Sequence, residues 1–228
     1  MNLIYAAHQP MELENGRVTV LMTNNQNVYF EMAQALAGKN DLLRLIDDDF
    51  SELNLSTALC WDADLSSAPD LMDRYGSALI KKISNELTVD QRQQLIAKQQ
   101  ELLTAIQDTL FSVDLPLEVS LDDGFQRLYK YARPRLISSA NATPYDIIKN
   151  DLNIHLELND CCVLAMKNIA NFLLPEQFKA FLQLVEESGL AVFLLEFSEK
   201  QQRAYYQNSD VYWIDEDFVD WHLQIVSF

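Results

Sequence analysis

RVTVLMTNNQNVYFEMAQALA, residues 17–37, reads as a strand over Arg17–Met22, a short turn over Thr23–Asn27 and an amphipathic helix after it. In an α/β domain this is where a phosphate-cradling loop sits. Such a loop needs glycines so that backbone N–H groups can wrap a phosphate, a lysine to neutralise it and a hydroxyl to hold magnesium. Thr23-Asn24-Asn25-Gln26-Asn27 contains neither glycine nor lysine. The stretch has the scaffold of a P-loop enzyme without the residues of P-loop chemistry, which moves the reading from catalysis toward binding.

Outward from this unit, further strands are expected at Leu42–Ile46, Ser56–Trp61, Cys161–Met166, Leu190–Phe197 and Val211–Ile214. Several are continuous apolar runs without polar alternation, which suits strands covered on both faces in a mostly parallel sheet. Residues Pro175–Ser188 supply a crossover helix: Pro175 in the first turn, an apolar stripe of Phe178, Phe181, Leu182 and Val185, and Gly189 as the stop. The 228 residues, about half of them apolar, can bury a substantial core. No run approaches the length of a membrane span, and the N-terminus lacks the basic-then-apolar order of a signal peptide, so a cytoplasmic protein is expected. The three cysteines agree: Cys60 is isolated, and adjacent Cys161 and Cys162 on a strand point to opposite faces, so buried reduced thiols are expected.

The middle differs in kind. Ser67–Asp70 and Thr88–Gln91 both have capping-box spacing and open two helices. Met72, Tyr75, Leu79 and Ile83 line one; Val89, Leu95, Ile96, Leu102, Leu103, Ile106 and Leu110 line the other, a pattern suited to a helical hairpin. This segment is a helical leg inserted into the sheet domain. A short helix through Tyr129 and the Arg133-Pro134-Arg135 elbow lead back to the core.

A net charge of −17 argues against nucleic acid when taken alone. Its distribution matters more, because ten of the seventeen basic residues fall between Arg74 and Lys149, whereas Asp41–Asp73 carries nine acids and one base. Arg74 and Lys81 share a helix face, with Lys82 beside them and Lys98 on the second helix; Arg127, Lys130, Arg133, Arg135 and Lys149 extend the basic region. Such side chains suit phosphate contacts without reading bases, or solvation and local ion pairing such as Lys98 with Glu101. Asp114, Glu118, Asp122 and Asp123 cluster around Pro116 and Gly124; hard oxygen donors on an irregular loop suit calcium, or a solvated acidic loop. Asp215, Glu216, Asp217 and Asp220 follow a strand, where an α/β enzyme holds magnesium, but the strand expected to bring a second acid ends Lys167-Asn168. His8, His155 and His222 are scattered, with no nucleophile at a recognisable spacing.

Over nearly its whole length the chain resembles the CRISPR-associated type II-A spacer-acquisition family. The residues that carry the resemblance are Met1–Leu3, the Glu14–Gly16 turn, the Val18–Met22 strand, the insertion after Trp61-Asp62, then Val163–Asn168, Phe172–Phe178, Leu190–Phe197 and Tyr212–Phe218. The resemblance implies an α/β head, residues 1–62 and 141–228, whose mostly parallel sheet is built like a degenerate P-loop ATPase core without ATP hydrolysis. A helical leg domain, residues 63–140, is inserted in it. It implies a homotetrameric ring around ends of double-stranded DNA, with the basic residues above in its channel, and the adaptation integrases and the RNA-guided effector nuclease as partners. It also implies calcium at the junction of leg and head, where Glu118 is the best match and Asp114, Asp122 and Asp123 are companions; Ser120 departs from the pattern where a carboxylate is expected. The alternative reading is a divergent magnesium-dependent nucleotide hydrolase or nuclease.

Overall fold

In the computed structural model Val18–Thr23 form strand β3, buried at all six positions. The structure describes residues 1–62, 71–119, 124–137, 143–160, 162–199, 205–206 and 208–223. The chain divides into two units, Met1–Pro69 with Ser138–Phe228, and Asp70–Ile137.

In the first unit β3 lies inside a six-stranded sheet. Its order is β10 (Asp220–Leu223), β9 (Asp210–Ile214), β3, β8 (Val192–Phe197), β7 (Val163–Lys167) and β6 (Leu59–Asp62). Every pairing is parallel except β10 on β9. The apolar runs make this possible, since successive side chains leave opposite faces and each face must be covered. Leu21, Ala165, Phe193, Leu195 and Tyr212 point into one core with helix α1 (Gln26–Leu36). Val20, Met22, Leu164, Leu194 and Trp213 point into the other, with helices α6 (Pro144–Leu158) and α7 (Pro175–Ser188). Helix α7 starts at Pro175 and stops at Gly189, whose φ of 69° is the left-handed conformation that glycine adopts without penalty.

Two strand expectations change. Leu43–Ile46 (β4) joins a separate antiparallel sheet of order β2 (Met11–Glu12), β1 (Asn2–Tyr5), β4 and β5 (Glu52–Leu53). Its alternating burial is that of a strand covered on one face only, with Leu43 and Leu45 entering the same core as α1. Residues Leu55–Ala58 make one helical turn, α2, before β6 begins, because the Asn54 side chain accepts from the Ser56 N–H at 3.0 Å and caps a helix where a strand was expected.

The second unit contains α3 (Leu71–Glu86), α4 (Val89–Leu110) and α5 (Phe125–Ala132). Thr88 and Gln91 form the expected capping box at the start of α4; the one expected at Ser67–Asp70 lies outside the described residues. The buried side of α3 runs through Leu71, Tyr75, Gly76, Ile80 and Ser84, rotated from the predicted stripe, and Ile83 is exposed. Gly76 and Ser84, invisible to a count of apolar side chains, lie on the buried side. Helix α4 buries none of its residues, and Val89, Ile96, Leu102 and Ile106 of the predicted stripe stay exposed. Its N-terminal turn is held by Arg92, whose guanidinium lies 5.2 Å from the Phe125 ring centre. No helix among the described residues is long and apolar enough to cross a membrane.

Candidate nucleic-acid interface

In the first unit, the turn between β3 and α1 spends most of its side-chain donors and acceptors on the protein itself. Asn25 is the N-cap of α1, its side-chain oxygen accepting from the N–H groups of Asn27 (3.0 Å) and Val28 (3.3 Å). Thr23 donates its hydroxyl to the Ile214 carbonyl at 2.7 Å and accepts from the Asn25 N–H at 3.0 Å. Asn24 donates to the Glu216 carboxylate at 2.7 Å, and Asn25 to the Glu216 carbonyl at 3.2 Å. The helix N-terminus, where a phosphate would find free N–H groups and a lysine, thus has capped N–H groups and a carboxylate beside it. That carboxylate repels an anion.

The acids after β9 are likewise engaged. Asp215 accepts from the N–H groups of Asp217 and Val219 and from the Trp221 indole, at 2.9–3.0 Å. Asp220 lies 2.6 Å from His8 Nδ1 and accepts from the Gln9 N–H at 2.9 Å. At the end of β7, Asn168 donates to the Tyr29 hydroxyl at 2.6 Å and accepts from the Phe197 N–H at 2.9 Å. Glu196, at the end of β8, is buried; burial raises its carboxyl to about 7, against the opposing pull of the Ala170 N–H.

In the second unit, Lys130, Arg133 and Arg135 converge on a groove of about 440 Å³, facing Met72, Asp73, Gly76, Ser77 and Ile80 of α3. All three cations are exposed at the side chain. Arg133 ends α5 in the left-handed conformation (φ 48°), its N–H bonded to the Tyr129 carbonyl at 3.1 Å, and Pro134 prevents the helix from continuing. This turn carries the chain past α3 with basic side chains on either side of a proline. Three cations against the single carboxylate of Asp73 make the groove an anion site by charge. Counted over the sequence, residues 70–137 carry ten acids and nine bases, whereas the remainder carries twenty-four acids and eight bases. The acidity belongs almost wholly to the first unit.

The other predicted contacts are dispersed. Arg74 and Lys81 lie on α3 and Arg127 on α5, none of them lining the groove, and Lys149 is on α6 in the first unit. Lys82 is paired with Glu86 (3.1 Å) and Lys98 with Glu101 (2.9 Å), the latter at the expected spacing. Of the predicted metal ligands, Asp114 and Glu118 are exposed on the segment after α4, and Asp122 and Asp123 lie outside the described residues. Gln107 holds that segment by donating to the Leu117 carbonyl (3.2 Å) and accepting from the Val119 N–H (2.8 Å). Two carboxylates have the right donor chemistry for calcium but supply only part of the six to eight oxygens it takes. Among the described residues, neither belongs to a group of three ligand-bearing side chains.

One such group was not anticipated from sequence: Cys60, His155 and Cys162, whose ligand atoms all lie within 4.8 Å of one another. They are far apart along the chain and lack any motif spacing, so only the β6–β7 pairing and the packing of α6 reveal them.

The fold defines a class: a mixed α/β protein with a mostly parallel six-stranded sheet. No family model matches the chain, and no curated protein does. Among solved structures it is similar to Stu0660 of Streptococcus thermophilus, with a TM-score of 0.66 and 15% identity over 99% of this chain and 77% of that one. It is also similar to the ADP conformation of MJ1267, an ATP-binding cassette of an ABC transporter, with a TM-score of 0.50 and 10% identity over 93% of this chain and 85% of that one. At these identities the likeness shows the fold alone.

Proposed function

We propose that this chain is a non-catalytic protein that binds double-stranded DNA. In this reading it assembles as a homotetrameric ring around duplex ends during CRISPR spacer acquisition, alongside the adaptation integrases and the RNA-guided effector nuclease. The observation that carries the reading is the groove of Lys130, Arg133 and Arg135, a concentrated cationic site on a nearly neutral unit of a strongly acidic chain. Phosphate contact there needs no base readout. The sequence resemblance supports the ring. So does the uncovered apolar stripe of α4, a surface that self-association would cover. Calcium-dependent assembly, with Asp114, Glu118, Asp122 and Asp123 as donors, is the part that rests on the sequence resemblance.

The magnesium-dependent hydrolase is the weaker reading, since Asp215 and Asp220 are engaged within the fold and Glu216 sits against the turn where a phosphate would bind. The test is fluorescence anisotropy of a labelled linear duplex against salt. Log affinity falls with log salt by about 0.9 for each phosphate contacted, and the combined change Lys130→Glu, Arg133→Glu and Arg135→Glu abolishes binding while circular dichroism is unchanged. Unchanged affinity in that variant would remove the groove from the interface.

A further inference from the structure

We infer that Cys60, His155 and Cys162, with Asp160, form a binding site for a thiophilic divalent cation, zinc by its donor set. The site lies wholly within the first unit. Cys60 comes from β6, His155 from the last turn of α6, Asp160 from the residues just beyond that helix, and Cys162 from the entry to β7. Leu59 pairs with Val163 in the parallel ladder, so Cys60 and Cys162 flank that pair diagonally. The end of α6 is rigid: Asn159 is left-handed (φ 51°), and the Asp160 N–H donates back to the His155 carbonyl at 3.0 Å. This turn sets the histidine and the carboxylate side by side.

The ligand atoms of Cys60, His155 and Cys162 lie within 4.8 Å of one another, with Asp160 beside the histidine but outside that group, and two of the separations match a tetrahedral ion. With Zn–S near 2.3 Å and Zn–N or Zn–O near 2.0–2.1 Å, tetrahedral angles separate sulfur from nitrogen by about 3.5 Å and nitrogen from oxygen by about 3.3 Å. Cys162 Sγ lies 3.6 Å from His155 Nδ1, and Asp160 Oδ2 lies 3.3 Å from the same nitrogen. The other oxygen of Asp160 is fixed by the Cys162 N–H at 3.2 Å. Two thiolates and an imidazole favour zinc over calcium or magnesium, and two cysteines are too few for an iron–sulfur cluster. Asp151, one turn before His155, is fully buried and attracts positive charge on the ring.

Burial pulls the imidazolium of His155 down in pKa, but Cys60, Asp151 and Asp160 together outweigh it. A hydrogen bond with Cys60 and burial both push the Cys162 thiol up. Zinc binds cysteine as the thiolate, so its entry releases protons. The location gives the ion a structural task. The chain leaves the first unit after β6 and returns to it before α6, so one ion would clasp the two elements that bracket the inserted unit.

The experiment titrates the reduced, full-length chain with cobalt and then with zinc. One equivalent of cobalt per chain gives thiolate charge-transfer absorption and tetrahedral visible bands, which one equivalent of zinc removes. Both are lost in Cys60→Ser and in Cys162→Ser and kept in Cys161→Ser. In the unaltered chain, zinc protects Cys60 and Cys162 from alkylation, as peptide mass mapping reads, which keeps the test independent of whether the variants fold. Cobalt uptake without thiolate absorption, absorption that persists in Cys60→Ser and Cys162→Ser, or unprotected Cys60 and Cys162 would each overturn the site.

Discussion

Replacing Glu196 with glutamine should stabilise the protein at alkaline pH and leave it almost unchanged in acid. Glu196 is 2% exposed at the end of β8, with the Ala170 N–H as a donor at 3.4 Å. Burial dominates and raises its carboxyl to about 7 from the ordinary 4.5. Below the ordinary value both folded and unfolded chains carry the proton, and ionisation costs folding nothing. Between the two values the folded chain keeps a proton that the unfolded chain has released, so stability falls as pH rises and the full penalty is present above about 7. At about 1.4 kcal/mol per tenfold change in proton affinity, the penalty reaches about 3 kcal/mol. Glutamine keeps the shape and an oxygen for the Ala170 N–H but carries no charge. Urea unfolding followed by far-ultraviolet circular dichroism should therefore show Glu196→Gln gaining up to about 3 kcal/mol at pH 8 and about 0 at pH 4.5. An equal shift at both pH values, or a loss at pH 8, would refute the reasoning by showing that the ionised carboxylate is stabilised where it lies.

Asn25→Ala removes the cap that takes the first N–H groups of α1 and should cost about 1 kcal/mol in the same assay; a neutral outcome would mean that water replaces the cap. Thr88→Ala breaks the capping box of a helix that buries none of its residues, so it should lower helical ellipticity and fray the start of α4 in hydrogen exchange, at a cost of about 1 kcal/mol. Phe193→Ala, at a fully buried position of β8, should cost about 3–5 kcal/mol; a loss under 1 kcal/mol would show that the core collapses around the gap.

Six strand segments were legible because long apolar runs have few other uses in a chain of this size, and helix α7 because a proline and a glycine punctuate it. Strands β1, β2, β5 and β10 escaped because they are only two to four residues long, too short for a pattern to register, and β1 in addition pairs far along the chain, Asn2 with Ile46. Helix α6 was missed although Thr143 and Asp146 form a capping box at its start. The stripe on α4 was visible, but its exposure was not, since hydropathy records what a helix can bury rather than what is there to cover it. Among the basic residues, the Arg133-Pro134-Arg135 elbow stood out, but its convergence with Lys130 depends on a left-handed turn that charge counting does not register. The cysteine and histidine cluster was illegible for the same reason at longer range: Cys60 and His155 are brought together only by β6 beside β7 and α6 packed on the sheet.

Competition between a labelled linear duplex and an unlabelled, covalently closed circle of the same length and sequence tests the ring most directly. The account predicts that unlabelled linear duplex displaces the label while the closed circle does so poorly, and that the circle competes fully once it is cut at one site. Equal competition by closed and cut circles would contradict an encircling ring.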